Sequence, residues 1–194
     1  MGEWELRKRQ FLRRLVREAE EGRVDPDVLP LLEAINSMDG YYTTSSCSGR
    51  VQVYASRLPG MKFDMVTLGK WHWRVTADEV REAASRGGHG DVWLAALPPI
   101  LHVVAKDLAK ASELLRVARE VGFKHSGILS VREERVVLEL RASERIEAPL
   151  LLDGEWVVTE EGLDRLVERA NELLMTSKRK VGRLLLALRR LRPS

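Results

Sequence analysis

Small hydroxyl side chains are concentrated in one short segment of this 194-residue chain. Five of the six residues from Thr43 to Ser48 are Ser or Thr, and the pair Gly49-Arg50 follows them. Hydroxyls donate and accept hydrogen bonds, glycine permits close approach of a backbone, and the planar guanidinium of Arg50 suits a carboxylate or phosphate. The segment therefore predicts a ligand-binding loop. The alternative is a turn whose hydroxyls bond their own backbone.

A histidine interrupts an apolar segment later in the chain. His102 lies within Ile100–Val104, which is otherwise apolar. An imidazole on a strand can bind substrate or move a proton. The alternative is a core histidine with a satisfied hydrogen bond. The lone Cys47 is interpreted as a packed side chain rather than a nucleophile.

Metal and base-stacking chemistry are less well supported. The histidines share no metal-ligand spacing with one another or with Cys47, so no metal site is expected; they are His72, His89, His102 and His125. Three tryptophans on predicted strands could stack on a nucleobase, although such residues are more often part of a core; they are Trp71, Trp73 and Trp93.

Both ends of the chain are basic. The segment from Leu173 to Ser194 has seven basic residues and no acidic one: Lys178, Arg179, Lys180, Arg183, Arg189, Arg190 and Arg192. The first predicted helix carries a second cluster: Arg7, Lys8, Arg9, Arg13, Arg14 and Arg17. Two clusters of one sign can form a phosphate-binding surface. They can equally be solvated helix faces.

Length and composition favour a single domain over residues 1–194 with a real hydrophobic core, since 44% of the residues are hydrophobic. No stretch is apolar enough to span a membrane, and the N-terminus does not resemble a signal sequence. A single cysteine fits a reducing compartment. These features predict a cytoplasmic protein.

Hydrophobic periodicity predicts five helices and several short strands. The helices are predicted at 4–21, 26–37, about 76–86, 108–121 and about 160–191. A capping box at Thr76–Glu79 opens the third helix, and the last is a long C-terminal helix. The strands are 50–57, 63–68, 70–75, 92–97, 100–105, 127–132 and 135–141. This order predicts an α+β fold, with a mixed β-sheet and helices packed on it.

A Rossmann cofactor site is not expected. The glycines in Gly87-Gly88-His89-Gly90 follow a helix and precede a strand, whereas dinucleotide loops run from a strand through glycines into a helix. The glycines are instead typical of a helix C-terminus.

Several segments together resemble archaeal members of the wybutosine-synthesising protein three family of tRNA methyltransferases. The segments are YYTTSSCSGR at 41–50, LGKWH at 68–72, PPILHV at 98–103, GFKHSGI at 122–128, LRASE at 140–144 with Glu147 and Pro149, and Ala170-Asn171. They cover most of the chain in the family's order. The chain has Ala142-Ser143 where the family often has Ser-Thr, and it lacks the Asp-Lys-Ser that often precedes the second helix.

The resemblance implies an α+β, non-Rossmann fold and methyl transfer from S-adenosylmethionine. The acceptor would be N4 of the tricyclic base next to the tRNA(Phe) anticodon. Such a base lies in a single-stranded anticodon loop, where a protein can splay it out. Other enzymes of the same modification pathway are candidate partners. An RNA-binding protein without catalysis, or an enzyme acting on a small anionic metabolite, remain alternatives.

The resemblance also suggests roles for individual residues. Donor binding is assigned to the hydroxyl segment and a second polar turn: Ser45, Ser46, Ser48, Gly49, Arg50, Ser126 and Gly127. His102 is the candidate proton acceptor, and Arg141 suits a carboxylate or phosphate. The tRNA backbone would contact the basic ends, Arg7–Arg17 and Lys178–Arg192, with Lys178, Arg179, Lys180 and Arg183 as the named substrate-binding residues.

Overall fold

The structure, a computed structural model, describes residues 2–59, 61, 63–88 and 90–190. The helices are α1 Glu3–Glu20, α2 Leu29–Asn36, α3 Ala77–Ser85, α4 Leu108–Glu120 and α5 Glu160–Arg190. The strands are β1 Tyr41–Cys47, β2 Arg50–Ala55, β3 Val66–Trp71, β4 Val92–Leu97, β5 Ile100–Ala105, β6 Gly127–Arg132, β7 Arg135–Arg141, β8 Ile146–Leu152 and β9 Glu155–Trp156. No helix in this described part combines the length and apolar character that a membrane span requires.

The chain forms two compact units, each built from separate segments. The first consists of Met1–Ser48, Pro99–Ser143 and Ser177–Ser194, and the second of Gly49–Pro98 and Glu144–Thr176. Helix α5 therefore contributes its first part to the second unit and its last turns to the first. The single domain over 1–194 stays a prediction.

The first unit contains an antiparallel sheet of order β1-β5-β7-β6. Alternate residues of its strands, such as Leu101, Val103 and Leu138, are fully buried in one core, because strand side chains alternate between the two faces. Helices α2, α4 and the end of α5 supply the other side of this core; their buried residues include Leu31, Ile35, Leu114, Ala118, Leu184 and Leu188.

The opposite face of this sheet is covered in part by α1. Trp4 and Phe11 of α1 contact the ring of Tyr42, with ring centroids 5.1 and 5.2 Å apart. Val104 and Val137 complete this small cluster. The aromatic and aliphatic contacts fix α1 over one end of the face, and the strand residues beyond them carry the polar groups described below.

The second unit contains a five-stranded antiparallel sheet of order β3-β2-β4-β8-β9. Its core includes Val53 and Leu94 from the strands and Ala84 and Leu163 from α3 and α5. The Asn171 side chain is buried and bonds both backbone groups of Val75, accepting from N at 3.0 Å and donating to O at 2.8 Å. These bonds hold the segment that leads into α3.

Much of the predicted architecture is confirmed. The α+β class and the long C-terminal helix are present, and β4, β5, β6 and β7 have the predicted bounds. The capping box at Thr76 is complete, since its side chain accepts from the N–H of Glu79 and the Glu79 carboxylate accepts from the N–H of Thr76. The predicted endpoint at Leu191, the basic Arg192, and His89 of the glycine run lie outside the described residues.

Several local predictions were wrong. Residues 41–47 form strand β1 rather than a loop, because the Tyr-Tyr-Thr-Thr run suits a pleated sheet and pairs with β5. Residues 63–75 contain one strand, β3, in which Gly69 is internal rather than a separator. A Cβ at Gly69 would lie 2.3 Å from the Trp71 ring, so glycine is needed there for packing.

Two further differences concern the sheets and α2. The strands form two sheets with only antiparallel neighbours among the described residues, instead of one sheet of mixed direction. Strands β8 and β9 were not predicted, because Glu147 and Pro149 interrupt the apolar alternation of β8. Helix α2 begins at Leu29 rather than 26, with Pro30 in its first turn, where a missing N–H has no cost.

Candidate active site

Three strands of the first unit bring polar side chains together on the face that α1 leaves uncovered. Ser45 is opposite His102 in the pairing of β1 with β5, and His102 is opposite Glu139 in the pairing of β5 with β7. Arg141 lies two residues after Glu139 on the same strand and therefore on the same face. Ser45 is exposed, whereas the other three side chains are partly buried.

These side chains form a continuous chain of contacts. Ser45 Oγ lies 2.7 Å from His102 Nδ1, and His102 Nε2 lies 3.4 Å from a carboxylate oxygen of Glu139. The other carboxylate oxygen of Glu139 lies 3.4 Å from Arg141 Nε. A proton on Nε2 is favoured by the facing carboxylate, which leaves Nδ1 to accept the Ser45 hydroxyl hydrogen. The imidazole is thus oriented between a hydroxyl and an acid, an arrangement suited to accepting a proton.

An irregularity in β1 positions Ser45. The register of β1 against β5 shifts between Thr43 and Ser45. The buried Asn36 side chain holds the residue before the shift, accepting from Thr43 N at 2.7 Å and donating to Thr43 Oγ1 at 2.8 Å. Such bulges redirect side chains. The Thr43 hydroxyl therefore serves the fold, while the Ser45 hydroxyl faces outward.

Ser46 is half-buried, as is Thr44. Ser45 and Ser46 line a cavity of about 100 Å³ together with Phe11 and Arg14 of α1. Cys47 follows as a half-buried free thiol, and its interpretation as a packed residue stays a prediction. The cavity beside Ser45 and Ser46 is the part of the hydroxyl segment that can admit a ligand.

Ser48 is buried and held by charged partners. Its hydroxyl accepts from Lys178 Nζ at 2.8 Å, and its backbone N–H donates to an Asp25 carboxylate oxygen at 2.8 Å. Lys178 also forms an ion pair with Asp27, and only 7% of the Lys178 side chain is exposed. These contacts fix the end of β1. The parts of Ser48 in donor binding and of Lys178 in tRNA binding stay predictions.

Gly49 and Arg50 belong to the second unit. Gly49 has φ +91°, a conformation that side chains other than glycine rarely adopt. The half-buried Arg50 donates from Nε to the Gln52 side-chain oxygen at 2.9 Å. Their part in donor binding stays a prediction.

The two residues of the second polar turn, Ser126 and Gly127, have different environments. The buried Ser126 hydroxyl donates to Phe123 O at 2.6 Å and accepts from Arg141 N at 3.0 Å, so its only hydrogen is used within the fold. Gly127 is opposite Glu139 in the sheet, and a Cβ there would meet no atom within 4 Å. Gly127 therefore leaves space beside the acid, while Ser126 positions Arg141.

The basic residues of α5 point in two directions. Lys178 is buried, and Lys180 donates to Gly122 O at 3.0 Å, which directs its ammonium into the first unit. Arg179 and Arg183 are exposed and separated by one helical turn, so they lie on one face. Arg189 and Arg190 are also exposed. Within Lys178–Arg190, these four arginines are the exposed basic residues; Arg165 and Arg169, earlier on α5, are also exposed but pair with Glu161 and Glu172.

Glu139 is the main functional candidate that the sequence interpretation missed. The pattern Arg135–Arg141 marks alternate positions of β7 as half-exposed, which is typical of any strand with one solvated face. Only the register against β5 shows that the carboxylate faces His102. The alternation of buried and half-exposed residues in β7 was readable from the sequence, but the pairing with β5 was needed to show that Glu139 faces His102.

Comparisons with known proteins agree with this fold. The family model described as Methyltransferase TYW3 matches residues 6–190. A Thermococcus sibiricus protein named tRNA(Phe) 7-((3-amino-3-carboxypropyl)-4-demethylwyosine(37)-N(4))-methyltransferase is 42% identical over 181 residues, which is 93% of this chain and 92% of the relative. A protein of the same name from Archaeoglobus fulgidus is 40% identical over 185 residues, covering 95% and 93% of the two chains.

Solved structures show the same similarity. A protein from Pyrococcus horikoshii has a TM-score of 0.90 and 40% identity, with 95% of each chain covered. A hypothetical protein from Aeropyrum pernix has a TM-score of 0.78 and 32% identity, covering 86% of this chain and 98% of that one.

Proposed function

The chain belongs to the Methyltransferase TYW3 family and is a methyltransferase, and we propose that it methylates N4 of the 7-(3-amino-3-carboxypropyl)-4-demethylwyosine base at position 37 of tRNA(Phe). The observation that carries this proposal is the near-complete coverage by relatives of that name at about 40% identity. The family requires a methyl donor. We assign this role to S-adenosylmethionine. We also propose that the enzyme acts in the cytoplasm.

The residues on the open sheet face fit such a donor and acceptor. On that face Ser45 offers a hydroxyl beside a cavity that Ser46 also lines, and Gly127 leaves space next to Glu139. S-adenosylmethionine, when bound, supplies a methyl group already activated by its sulfonium centre. The protein's main contribution is therefore alignment of the acceptor nitrogen and removal of its proton.

The contacts of His102 suggest a route for that proton. A nitrogen that lies beside the exposed Ser45 hydroxyl can pass its proton to Ser45 Oγ while the hydroxyl proton moves to His102 Nδ1, 2.7 Å away. The carboxylate of Glu139, 3.4 Å from Nε2, stabilises the resulting imidazolium. Arg141 holds that carboxylate from its other side. The proton returns to water when the product leaves.

Binding of the tRNA backbone is assigned to exposed arginines. Arg179, Arg183, Arg189 and Arg190 on α5 and Arg9 and Arg13 on α1 are exposed. Arg7 and Arg14 of α1 already pair with glutamates of their own helix. Guanidinium groups bind phosphate oxygens in a bidentate manner and release counterions. The other enzymes of the modification pathway remain proposed partners.

A transfer assay tests the proposal. Purified protein is incubated with labelled S-adenosylmethionine and tRNA(Phe) that carries the unmethylated tricyclic base. The wild type should transfer label to that base. His102→Ala should lower kcat by about 100-fold or more, the usual contribution of a general base, and Ser45→Ala and Ser46→Ala test the proton route and the donor cavity. Arg50→Ala tests whether Arg50, which belongs to the second unit, takes part in donor binding.

The matched control is His125→Ala, which removes an exposed histidine of the same unit. It should retain wild-type activity. Donor binding by calorimetry separates the alternatives, because an RNA-binding protein without catalysis would bind tRNA and not S-adenosylmethionine. A wild-type protein that transfers no methyl group to this tRNA contradicts the proposed function.

A further inference from the structure

A second cavity of the first unit lies where α1 begins and where β6 turns into β7. Its volume is about 270 Å³. The side chains of Trp4 and Tyr42 line it on the apolar side, and the polar walls come from arginines and glutamates: Arg7, Arg132, Arg135, Glu3, Glu133 and Glu134. Because pockets for drug-sized ligands are typically about 300–1,000 Å³, this cavity suits one end of a larger ligand.

Two polar groups of this cavity make no hydrogen bond within the described residues, and one of them, Arg135 Nε, is buried. Tyr42 is only 1% exposed, and its hydroxyl has no hydrogen bond within the described residues. The Nε atom of Arg135 is buried and also has no partner there. Burial raises the pKa of the Tyr42 phenol, and the positive charges of Arg135 and Arg7 oppose that rise, which places both guanidinium groups near the hydroxyl. Buried donors without partners are costly and call for an explanation.

The charges around these groups indicate what the ligand carries. Arg7 is paired with Glu3. In contrast, Arg132, Arg135, Glu133 and Glu134 form no ion pair within the described part of the chain. Positive and negative groups that are both available favour a ligand with both charges, whereas a phosphate would be repelled by the two carboxylates.

We propose that this cavity binds the α-amino-acid group of a ligand of the enzyme. The ligand carboxylate accepts hydrogen bonds from Arg135 and the Tyr42 hydroxyl, and the ligand ammonium donates to Glu133 or Glu134. Charge-assisted hydrogen bonds of this kind are the strong ones. The site is separate from Ser45 and His102 and adds recognition of a group remote from the reacting atoms.

The cavity and His102 lie on the same face of the sheet. Tyr42 is opposite Val104, and His102 is two residues before Val104 on β5, a distance of about 7 Å along the strand. This inference rests on the proposed function, under which two ligands carry an α-amino-acid group. One is the methionine part of S-adenosylmethionine. The other is the 3-amino-3-carboxypropyl group in the name of the relatives' substrate.

Two substitutions test the cavity. Tyr42→Phe removes only the hydroxyl and keeps the ring that packs against Trp4 and Phe11, so the variant should fold. Arg135→Ala removes the guanidinium. Arg116→Ala is the control, because Arg116 is an exposed arginine of α4 in the same unit that does not line the cavity. Circular dichroism verifies that each variant is folded.

Two measurements distinguish the sources of the amino-acid group. If the donor occupies the cavity, both variants should bind S-adenosylhomocysteine about tenfold more weakly, a loss of about 1.4 kcal/mol, and should bind 5′-methylthioadenosine, which lacks the amino-acid group, like the wild type. If the acceptor occupies it, donor affinity should stay the same. The KM should then rise about tenfold for tRNA with the amino-carboxypropyl base and remain the same for tRNA whose tricyclic base lacks that group.

Unchanged S-adenosylhomocysteine affinity together with unchanged KM for both tRNAs in folded Tyr42→Phe overturns the inference. Equal weakening of S-adenosylhomocysteine and 5′-methylthioadenosine also overturns it, because the effect would then not depend on the amino-acid group. Failure of the proposed function is separate, since it would appear as absence of methyl transfer by the wild-type protein.

Discussion

Replacement of Lys178 by methionine separates a structural from an RNA-binding role for a residue in the basic end of the chain. The substitution removes the ammonium that donates to Ser48 and pairs with Asp27, and it keeps most of the side-chain volume. Because only 7% of the Lys178 side chain is exposed, we expect a loss of stability and little direct effect on tRNA binding.

The size of the effect follows from what the substitution leaves behind. Removal of one partner of a buried ion pair typically costs about 3–5 kcal/mol. Asp27 remains 25% exposed and can regain some hydration, so we expect about 2–3 kcal/mol for this pair. For a chain of this length, 1 kcal/mol lowers Tm by about 2–4 °C. Lys178→Met should therefore lower Tm by about 5–10 °C.

Thermal melts followed by circular dichroism measure this change. Arg165→Met is the control, because its pair with Glu161 is about three-quarters exposed on both sides and should contribute less than about 1 kcal/mol. The double variant Asp27→Asn with Lys178→Met should recover part of the loss, since the stranded carboxylate is gone. Filter binding well below the melting range gives the tRNA affinity. A variant that melts with the wild type and binds tRNA weakly would refute the reasoning.

Three further predictions concern the site, the RNA surface and the second unit. Glu139→Gln should lower kcat by about tenfold in the methyl-transfer assay, because a neutral amide stabilises the imidazolium of His102 less well; an unchanged kcat argues against the proton route. Replacing Arg179, Arg183 and Arg190 by Glu should weaken tRNA binding and reduce the slope of log affinity against log salt concentration by about 2–3, while Tm stays nearly constant. If the slope is retained, these arginines only solvate the helix surface. Thr76→Ala should cost about 1 kcal/mol in urea melts, whereas Ser85→Ala, outside the cap, should cost less.

The lowered pKa of Glu79 gives one expectation for pH. Hydrogen bonds from the Thr76 backbone and hydroxyl hold the pKa of this exposed carboxyl below its usual range. A group whose pKa is lower in the folded state stabilises that state above its unfolded pKa, and the contribution is lost as pH falls through the folded value. The difference in stability between wild type and Glu79→Gln should therefore be present at neutral pH and shrink in acid. A difference that grows in acid contradicts the capping box as its cause.

Local signals accounted for the elements that depend on local chemistry. The capping box at Thr76, the cap at Asp107 and the apolar strands β4 and β5 were all predictable, because caps and alternation act over a few residues. The sheets were not. Strand β1 pairs with β5 after an excursion of more than fifty residues through the other unit, and no local pattern encodes such a partner.

The same distinction applies to the candidate site. Ser45, His102 and Arg141 were identified by type, and the structure joins them through Glu139. Ser48, Ser126 and Lys178 have the same chemical types as ligand-binding residues, but they face inward. Whether a hydroxyl or ammonium is directed at a ligand or at the backbone depends on the register and packing of distant segments, which residue type alone does not reveal.

The interleaved order of the two units has a consequence for biosynthesis. Val181, Leu184 and Leu188 complete the core of the first unit, although its first strand begins at Tyr41. During translation, that sheet must wait for residues as far as Leu188 to leave the ribosome before its apolar side is covered. The second unit can assemble once Thr176 has emerged. The newly made chain therefore exposes the incomplete first core until Leu188 has emerged, and chaperone binding is most useful up to that stage.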